Sequence, residues 1–142
     1  MPEAEALLLI HGFPTASWDW EALWPVLTAH LRVYALDTIG FGLSEKPRHY
    51  DCSLMDQADL FESFLSSTGV ASYHVLAHDY GDSVAQELLV RQMEPGVRPR
   101  LQSIAFLNGG LFPETHRPVL MQRLLISPLG PLVARLWTFA II

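Results

Sequence analysis

Short apolar runs alternate with longer amphipathic segments along this chain, and this alternation limits the possible folds more than any other feature. Four runs predict strands, at Ala6–Ile10, Arg32–Asp37, Tyr73–Ala77 and Leu101–Leu107. Three segments between them have helical spacing, at Ser17–His30, Ser53–Thr68 and Gly81–Met93. Strands that are apolar throughout and separated by helices indicate a parallel sheet with right-handed crossovers. We therefore predict an α/β fold, with a central parallel sheet of about four strands flanked by helices.

Two of the predicted helices carry more specific expectations. Glu87 and Arg91 lie four residues apart and should pair on the third helix. The first helix should present one apolar face, formed by Trp20, Leu23, Trp24 and Leu27.

Composition excludes several classes of function. The chain has 142 residues, half of them apolar, which is enough for one substantial core. Its formal net charge of −6, without a run of Lys or Arg, argues against nucleic acid or an anionic membrane surface as a partner. Cys52 is the single cysteine, so neither a disulfide framework nor a thiol-rich metal site is expected, and we predict no cofactor. The N-terminus lacks the basic segment of a signal peptide, which predicts an intracellular location.

The carboxyl ends of parallel strands are where such folds place their chemistry. Four turns follow the four predicted strands, with the sequences HGFP (11–14), DTIGFG (37–42), HDYG (78–81) and NGG (108–110). A dinucleotide-binding fold needs its glycine fingerprint after the first strand, whereas here the glycine pair follows the second. This order excludes a dinucleotide-binding site.

The third turn places Asp79 between two small residues, Ala77 and Gly81. This is the pattern of a sharp strand-to-helix turn that lifts a nucleophile above the sheet, although serine usually occupies the central position. An ionised carboxylate at a helix N-terminus is stabilised there and could attack carbon to form an ester. The alternative is that Asp79 only caps the helix. The turn alone leaves both interpretations open.

Hydrolysis of such an ester creates an oxyanion that needs two preorganised donors. The third turn offers the backbone N–H of Tyr80, and the first turn offers that of Phe13. Gly12 allows a close backbone approach, and Pro14 stiffens the first turn.

Three motifs together resemble a known family. The stretches HGFP (11–14), DTIGFGLSEKP (37–47) and HDYGD (78–82) are similar to the α/β-hydrolase fold, in the branch with an aspartate nucleophile to which epoxide hydrolases and haloalkane dehalogenases belong. The resemblance implies Asp79 as nucleophile, Phe13 and Tyr80 as backbone oxyanion donors, and a small lipophilic substrate. The motif residues that support this assignment are His11, Gly12, Pro14, His78 and Gly81.

Three positions depart from the family pattern. Members of this branch mostly have tryptophan where this chain has Tyr80. Dehalogenases typically carry a halide-binding asparagine at the position of Phe13, which favours epoxides over halides as substrates. Asp82 stands where glycine is common, and we interpret its carboxylate as interacting favourably with the helix dipole.

The resemblance also predicts the domain organisation. Residues 1–112 correspond to the nucleophile half of the hydrolase core, and residues 113–142 to the start of a helical cap. The family's acid and histidine follow on later strands. The chain's other histidines are interpreted as structural or solvated, at His30, His49, His74 and His116. We therefore expect a hydrolase that is incomplete or inactive as this short chain, or alternatively a catalytically silent module that binds a lipid or protein partner.

The apolar C-terminal stretch SPLGPLVARLWTFAII (127–142) is too short and too interrupted to span a bilayer. We interpret it as part of the cap, with a membrane-surface helix as the alternative. Membrane association is otherwise expected only through segments that this chain lacks. By resemblance, the full-length protein could lie at the endoplasmic reticulum membrane.

Overall fold

A computed structural model describes residues 4–50, 53–97, 99–110 and 120–133. The chain forms two units, Met1–Leu111 and Phe112–Ile142. Cys52 and His116, and the expectations attached to them, lie outside the described residues.

The first unit is built on a four-stranded sheet whose strands are all parallel, in the order β2-β1-β3-β4. The strands are β1 (Ala6–Ile10), β2 (Arg32–Ala35), β3 (Ser72–His78) and β4 (Arg100–Leu107). The predicted parallel sheet is confirmed, with β2 two residues shorter at its end than expected and β3 one residue longer at each end. Since β2 and β4 are the edges, the two strands that carry the HGFP and HDYG turns are neighbours at the centre.

β1 is buried along its whole length, because helices or aromatic side chains cover both of its faces. Leu8 and Ile10 pack into a larger cluster formed with the helices that follow β2 and β3. Leu7 and Leu9 point to the opposite face, where they pack with Trp20. The alternation has the period of two that a strand imposes, so one five-residue strand contributes to two cores.

The predicted helix at Ser17–His30 is wrong as a single element. The structure has a short 3₁₀ helix at Ser17–Trp20 and a separate helix α1 at Trp24–Thr28. Pro25 lies in the first turn of α1, where its missing N–H and fixed φ favour a helix start over continuation of an earlier helix. The predicted apolar face is divided accordingly: Trp20 is buried and Leu27 packs beside it, whereas Leu23 and Trp24 are exposed.

Helix α2 (Leu54–Thr68) begins and ends where its sequence indicates. The Ser53 side chain accepts a hydrogen bond from the Asp56 N–H, and Gly69 adopts the left-handed conformation (φ 72°) that ends the helix. The face that carries Phe61 and Leu65 is fully buried against the sheet.

Helix α3 (Tyr80–Arg91) packs beside α2. Arg91 links the two helices. Its guanidinium donates to Glu87 at 2.9 Å, as the four-residue spacing predicts. It also donates to Asp59 and Glu62 of α2, at 2.5 and 2.7 Å. One cation thus offsets the mutual repulsion of three carboxylates.

The second unit contains helix α4 at Leu120–Ile126. Gly130 lies so close to the Leu125 carbonyl that a Cβ there would be 2.0 Å from its oxygen. Among the helices of the described residues, none has the length and apolar character needed to cross a bilayer.

We expect Arg91→Ala to lower the free energy of unfolding by about 1–2 kcal/mol, because it removes charge-assisted hydrogen bonds and leaves three carboxylates close together. Urea denaturation at low ionic strength measures this change. Arg48→Ala, which removes an equal charge from an exposed loop, is the matched control and should change stability by less than about 0.5 kcal/mol. Equal effects of the two substitutions would contradict the assigned role of Arg91.

Candidate active site

Asp79 connects the last residue of β3 to the first residue of α3, and its backbone has a conformation that residues other than glycine rarely adopt. Its φ of 53° and ψ of −113° lie outside the regions favoured by non-glycine residues. The backbone is held there by a hydrogen bond from the Asp79 N–H to the Leu107 carbonyl at 3.0 Å. Strain of this kind persists only where surrounding contacts enforce it, and it is typical of functional turns.

Small residues make the turn sterically possible. A Cβ at Gly81 would lie 2.5 Å from the Ile10 carbonyl oxygen, so only glycine lets the first turn of α3 pack on the end of β1. A Cβ at Gly12 would lie 2.7 Å from the Cβ of Asp79. The first and third turns therefore touch through their backbones.

This approach brings two donors to one carboxylate oxygen. Oδ1 of Asp79 accepts a hydrogen bond from the Phe13 N–H at 3.0 Å and another from the Tyr80 N–H at 2.7 Å. The convergence expected from the sequence is present. Within the described residues no hydrogen bond reaches Oδ2, so the two oxygens of the carboxylate have different surroundings.

Asp79 occupies the N-cap position of α3, but its geometry differs from that of a cap. Ser53, which caps α2 in the same chain, has extended backbone (φ −71°, ψ 158°) and accepts from the N–H three residues ahead. Asp79 instead accepts from the adjacent N–H and from one 66 residues away. A cap needs neither the left-handed φ nor the distant donor.

The turn after β2, which begins at Asp37, lies beside the first and third turns. Asp37 accepts hydrogen bonds from the backbone N–H groups of Ser17 and Leu43, each at 2.8 Å. Burial alone would raise the pKa of Asp37, but these donors and the nearby His11 outweigh it and hold that pKa below its usual value. Asp37 is not among the site residues predicted from the sequence, although its place before a two-glycine loop is a usable signal.

A family model described as the alpha/beta hydrolase fold matches residues 5–129, which is most of the chain. The chain belongs to the α/β-hydrolase fold family.

Relatives within this family are more specific. The mesoderm-specific transcript homolog protein of Bos taurus is 47% identical over 141 residues, which cover 95% of this chain and 42% of the relative. This agrees with the resemblance of NGGLFPETHRP (108–118) to that protein. LipZ of Mycobacterium tuberculosis, whose name assigns it provisionally to the hydrolases, is 41% identical over 94% of this chain and 46% of its own length. The chain thus spans less than half the length of these relatives.

A solved haloalkane dehalogenase from Bradyrhizobium elkani has the same architecture. Its TM-score against this chain is 0.66 with 29% sequence identity, covering 77% of this chain and 35% of the dehalogenase.

The two histidines of the hydrolase motifs do not contact the Asp79 carboxylate through any hydrogen bond of the described residues. His11 is fully buried, its Nε2 accepts from the Thr38 N–H at 3.0 Å, and its Nδ1 lies 2.9 Å from the Gly12 carbonyl oxygen. The His78 ring instead lies edge-on to Trp20. Both residues support the turns in which they lie, and so does Pro14, whose peptide bond with Phe13 is cis.

The other described histidines are distant from this turn or exposed. His74 lies within β3, where its Nδ1 is 2.7 Å from the Ser103 hydroxyl and its Nε2 is 3.7 Å from the Glu5 carboxylate. His30 and His49 are exposed.

Asp82 lies in the first turn of α3, the position from which we predicted an interaction with the helix dipole. Its burial was not predicted from the sequence, yet it is 1% exposed and lies so close to Gly109 that a Cβ there would be 1.9 Å from its Oδ2. Neither oxygen makes a hydrogen bond of normal geometry within the described residues. Burial raises the pKa of Asp82, and the charge of Asp79 raises it further. The opposite effects, from the N–H groups of Leu107 and Gly109 and from the nearby His78, offset this rise only in part. A carboxyl group directly after the HDYG turn (78–81) gave no sequence signal of burial.

We expect the stability of the chain to depend on pH through Asp82. Because the folded-state pKa is raised, the unfolded chain loses this proton first, and stability falls as pH rises from about 4 through the folded-state value. Asp82→Asn stays neutral, so it should be about as stable as the parent at pH 4 and about 1–3 kcal/mol more stable at pH 7. Urea denaturation across this range measures the difference, with Glu45→Gln as an exposed control. A difference that does not vary with pH would contradict the assignment.

Proposed function

We propose that this chain carries the nucleophile half of a hydrolase that works through an aspartyl ester, with a lipophilic epoxide as the most suitable substrate. The observation that carries the proposal is the asymmetry of the Asp79 carboxylate. Two backbone donors hold Oδ1, whereas no hydrogen bond from the described part of the chain reaches Oδ2, to which the proposal assigns the attack. A purely structural carboxylate would gain from sharing donors between both oxygens.

In the proposed first step Oδ2 attacks a carbon of the epoxide ring. The carbon–oxygen bond of the ring breaks, and the ring oxygen takes a proton from water, giving a hydroxyalkyl ester of Asp79. Phe13 and Tyr80 keep Oδ1 fixed, so they orient Oδ2 toward the substrate side.

In the second step water attacks the carbonyl carbon of the ester. Negative charge develops on Oδ1, which already lies 3.0 and 2.7 Å from its two N–H donors, so no reorganisation is needed to stabilise it. When the tetrahedral intermediate collapses, the bond between Cγ and Oδ2 breaks, Oδ2 leaves as a hydroxyl of the diol, and the oxygen of water remains in the restored carboxylate. A base must activate that water, and the described histidines are engaged elsewhere or distant, so we expect the second step to be slow in this chain.

The surroundings of Asp79 favour an apolar substrate. The two residues that donate to the carboxylate, Phe13 and Tyr80, both carry aromatic rings, and the ring of Phe13 is half exposed. The Phe13 side chain has no hydrogen-bond donor for a departing halide, which favours epoxide opening over dehalogenation even though a dehalogenase shares the fold.

Incubating the chain with styrene oxide should add one substrate mass to Asp79 without sustained turnover. Intact-mass spectrometry followed by peptide mapping measures the adduct. Asp79→Asn should abolish it, because a neutral amide is a poor nucleophile. Asp82→Asn is the matched control and should leave it intact, because the same substitution three residues on changes a buried group that solvent does not reach.

Two outcomes would count against this proposal. Labelling of Asp82 or Cys52 with Asp79 unmodified would contradict the assigned nucleophile. The absence of any adduct would favour a catalytically silent module that binds a lipid or protein partner.

A further inference from the structure

The described part of the loop that follows β2 supplies no group to the proposed reaction, yet many hydrogen bonds hold it in place. Its backbone at Ile39 both donates to and accepts from the fully buried side chain of Gln57, at 2.9 Å each.

Further hydrogen bonds hold the start of this loop. The Thr38 N–H donates to His11, and the Ser44 hydroxyl donates to the Asp37 carbonyl at 2.6 Å. Gly42, at φ 47°, packs directly on the Asp37 carboxylate. Because these hydrogen bonds fix a loop that takes no part in the proposed reaction, we expect the loop to hold one of its own side chains in a defined place.

What the loop presents to the site is the ring of Phe41. This ring stacks on Tyr80, with centroids 5.8 Å apart and planes 30° apart. It meets Phe13 edge-on at 6.0 Å and His11 edge-on at 5.5 Å. These are favourable geometries for aromatic pairs.

Two of the rings that Phe41 contacts belong to Phe13 and Tyr80, the residues whose N–H groups donate to Oδ1 of Asp79. We infer that Phe41 is a positioning residue: it bridges the first and third turns and fixes the separation of the two donors. This inference rests on the proposed function for its catalytic meaning, while the bridging itself is a structural statement that stands separately.

The bridge is needed because the donors come from different elements. The Phe13 donor belongs to the turn after β1, and the Tyr80 donor belongs to the start of α3. Oxyanion donors must be placed to within a fraction of an ångström, and loops achieve this only when neighbouring side chains lock them. Phe41 contacts the side chains of both donor residues from a loop that is itself held by buried polar groups.

Hydrogen exchange resolved to single amides tests the bridge in the full 142-residue chain. Phe41→Leu should speed exchange of the Phe13 and Tyr80 amides about tenfold, since it removes the aromatic contacts on both sides. The amides of Phe61 and Leu65 in α2 should be unchanged. Phe41→Tyr, which keeps the ring, should restore the parent rates, and Phe41→Met serves the same comparison if the leucine variant melts below the assay temperature.

The rate of adduct formation with styrene oxide gives the second readout. Phe41→Leu should lower the maximal rate several-fold while the epoxide concentration for half-maximal rate changes little, because orientation is lost and not binding. Unchanged exchange at Phe13 and Tyr80, or equal acceleration of the α2 amides, would overturn the inference. If the parent chain forms no adduct, the proposed function fails, and the exchange data still decide whether Phe41 bridges the donors.

Discussion

The backbone N–H groups of Phe13 and Tyr80, from two turns distant in sequence, converge on one oxygen of Asp79, and the rest of the site depends on that convergence. It ties the end of β1 to the start of α3 and enforces a backbone conformation that aspartate would not adopt alone. It also makes the carboxylate asymmetric. Oδ1 accepts two backbone hydrogen bonds, whereas Oδ2 accepts none from the residues that the structure describes. In the proposed mechanism Oδ1 takes up the developing charge and Oδ2 forms the bond to the substrate.

The parallel sheet makes this convergence possible. β1 and β3 are neighbours at the centre, so their carboxyl ends lie side by side and their turns meet at one edge. Gly12 and Gly81 remove the side chains that would keep the two backbones apart. The loop after β2 adds Phe41 from the other side of β1. Each of the three motif stretches in the sequence therefore supplies a different part of one geometric arrangement.

Sequence periodicity predicted the strands and their direction, because burial on both faces leaves an apolar run that few other structures explain. It was wrong about the first helix, because apolar spacing continued across Pro25 while the local backbone could not. The motif pattern located Asp79, but it could not separate a nucleophile from a cap. The observations that bear on this choice are the φ of Asp79 and a donor distant in sequence, and a short motif encodes neither of them. Burial of Asp82 was missed for the same reason, since it depends on the turn after β4 packing over α3.

The fate of a labelled oxygen tests the central claim most directly. The chain is allowed to react with styrene oxide in ¹⁸O-water, and the ester is then released in the same water with added imidazole as the base. If water attacks the carbonyl carbon while Oδ1 is held by its two donors, Asp79 exchanges one ¹⁶O for ¹⁸O, and the peptide that contains it becomes about 2 Da heavier. Label found only in the diol, with Asp79 unlabelled, would mean that water attacks the substrate directly, and it would contradict the account.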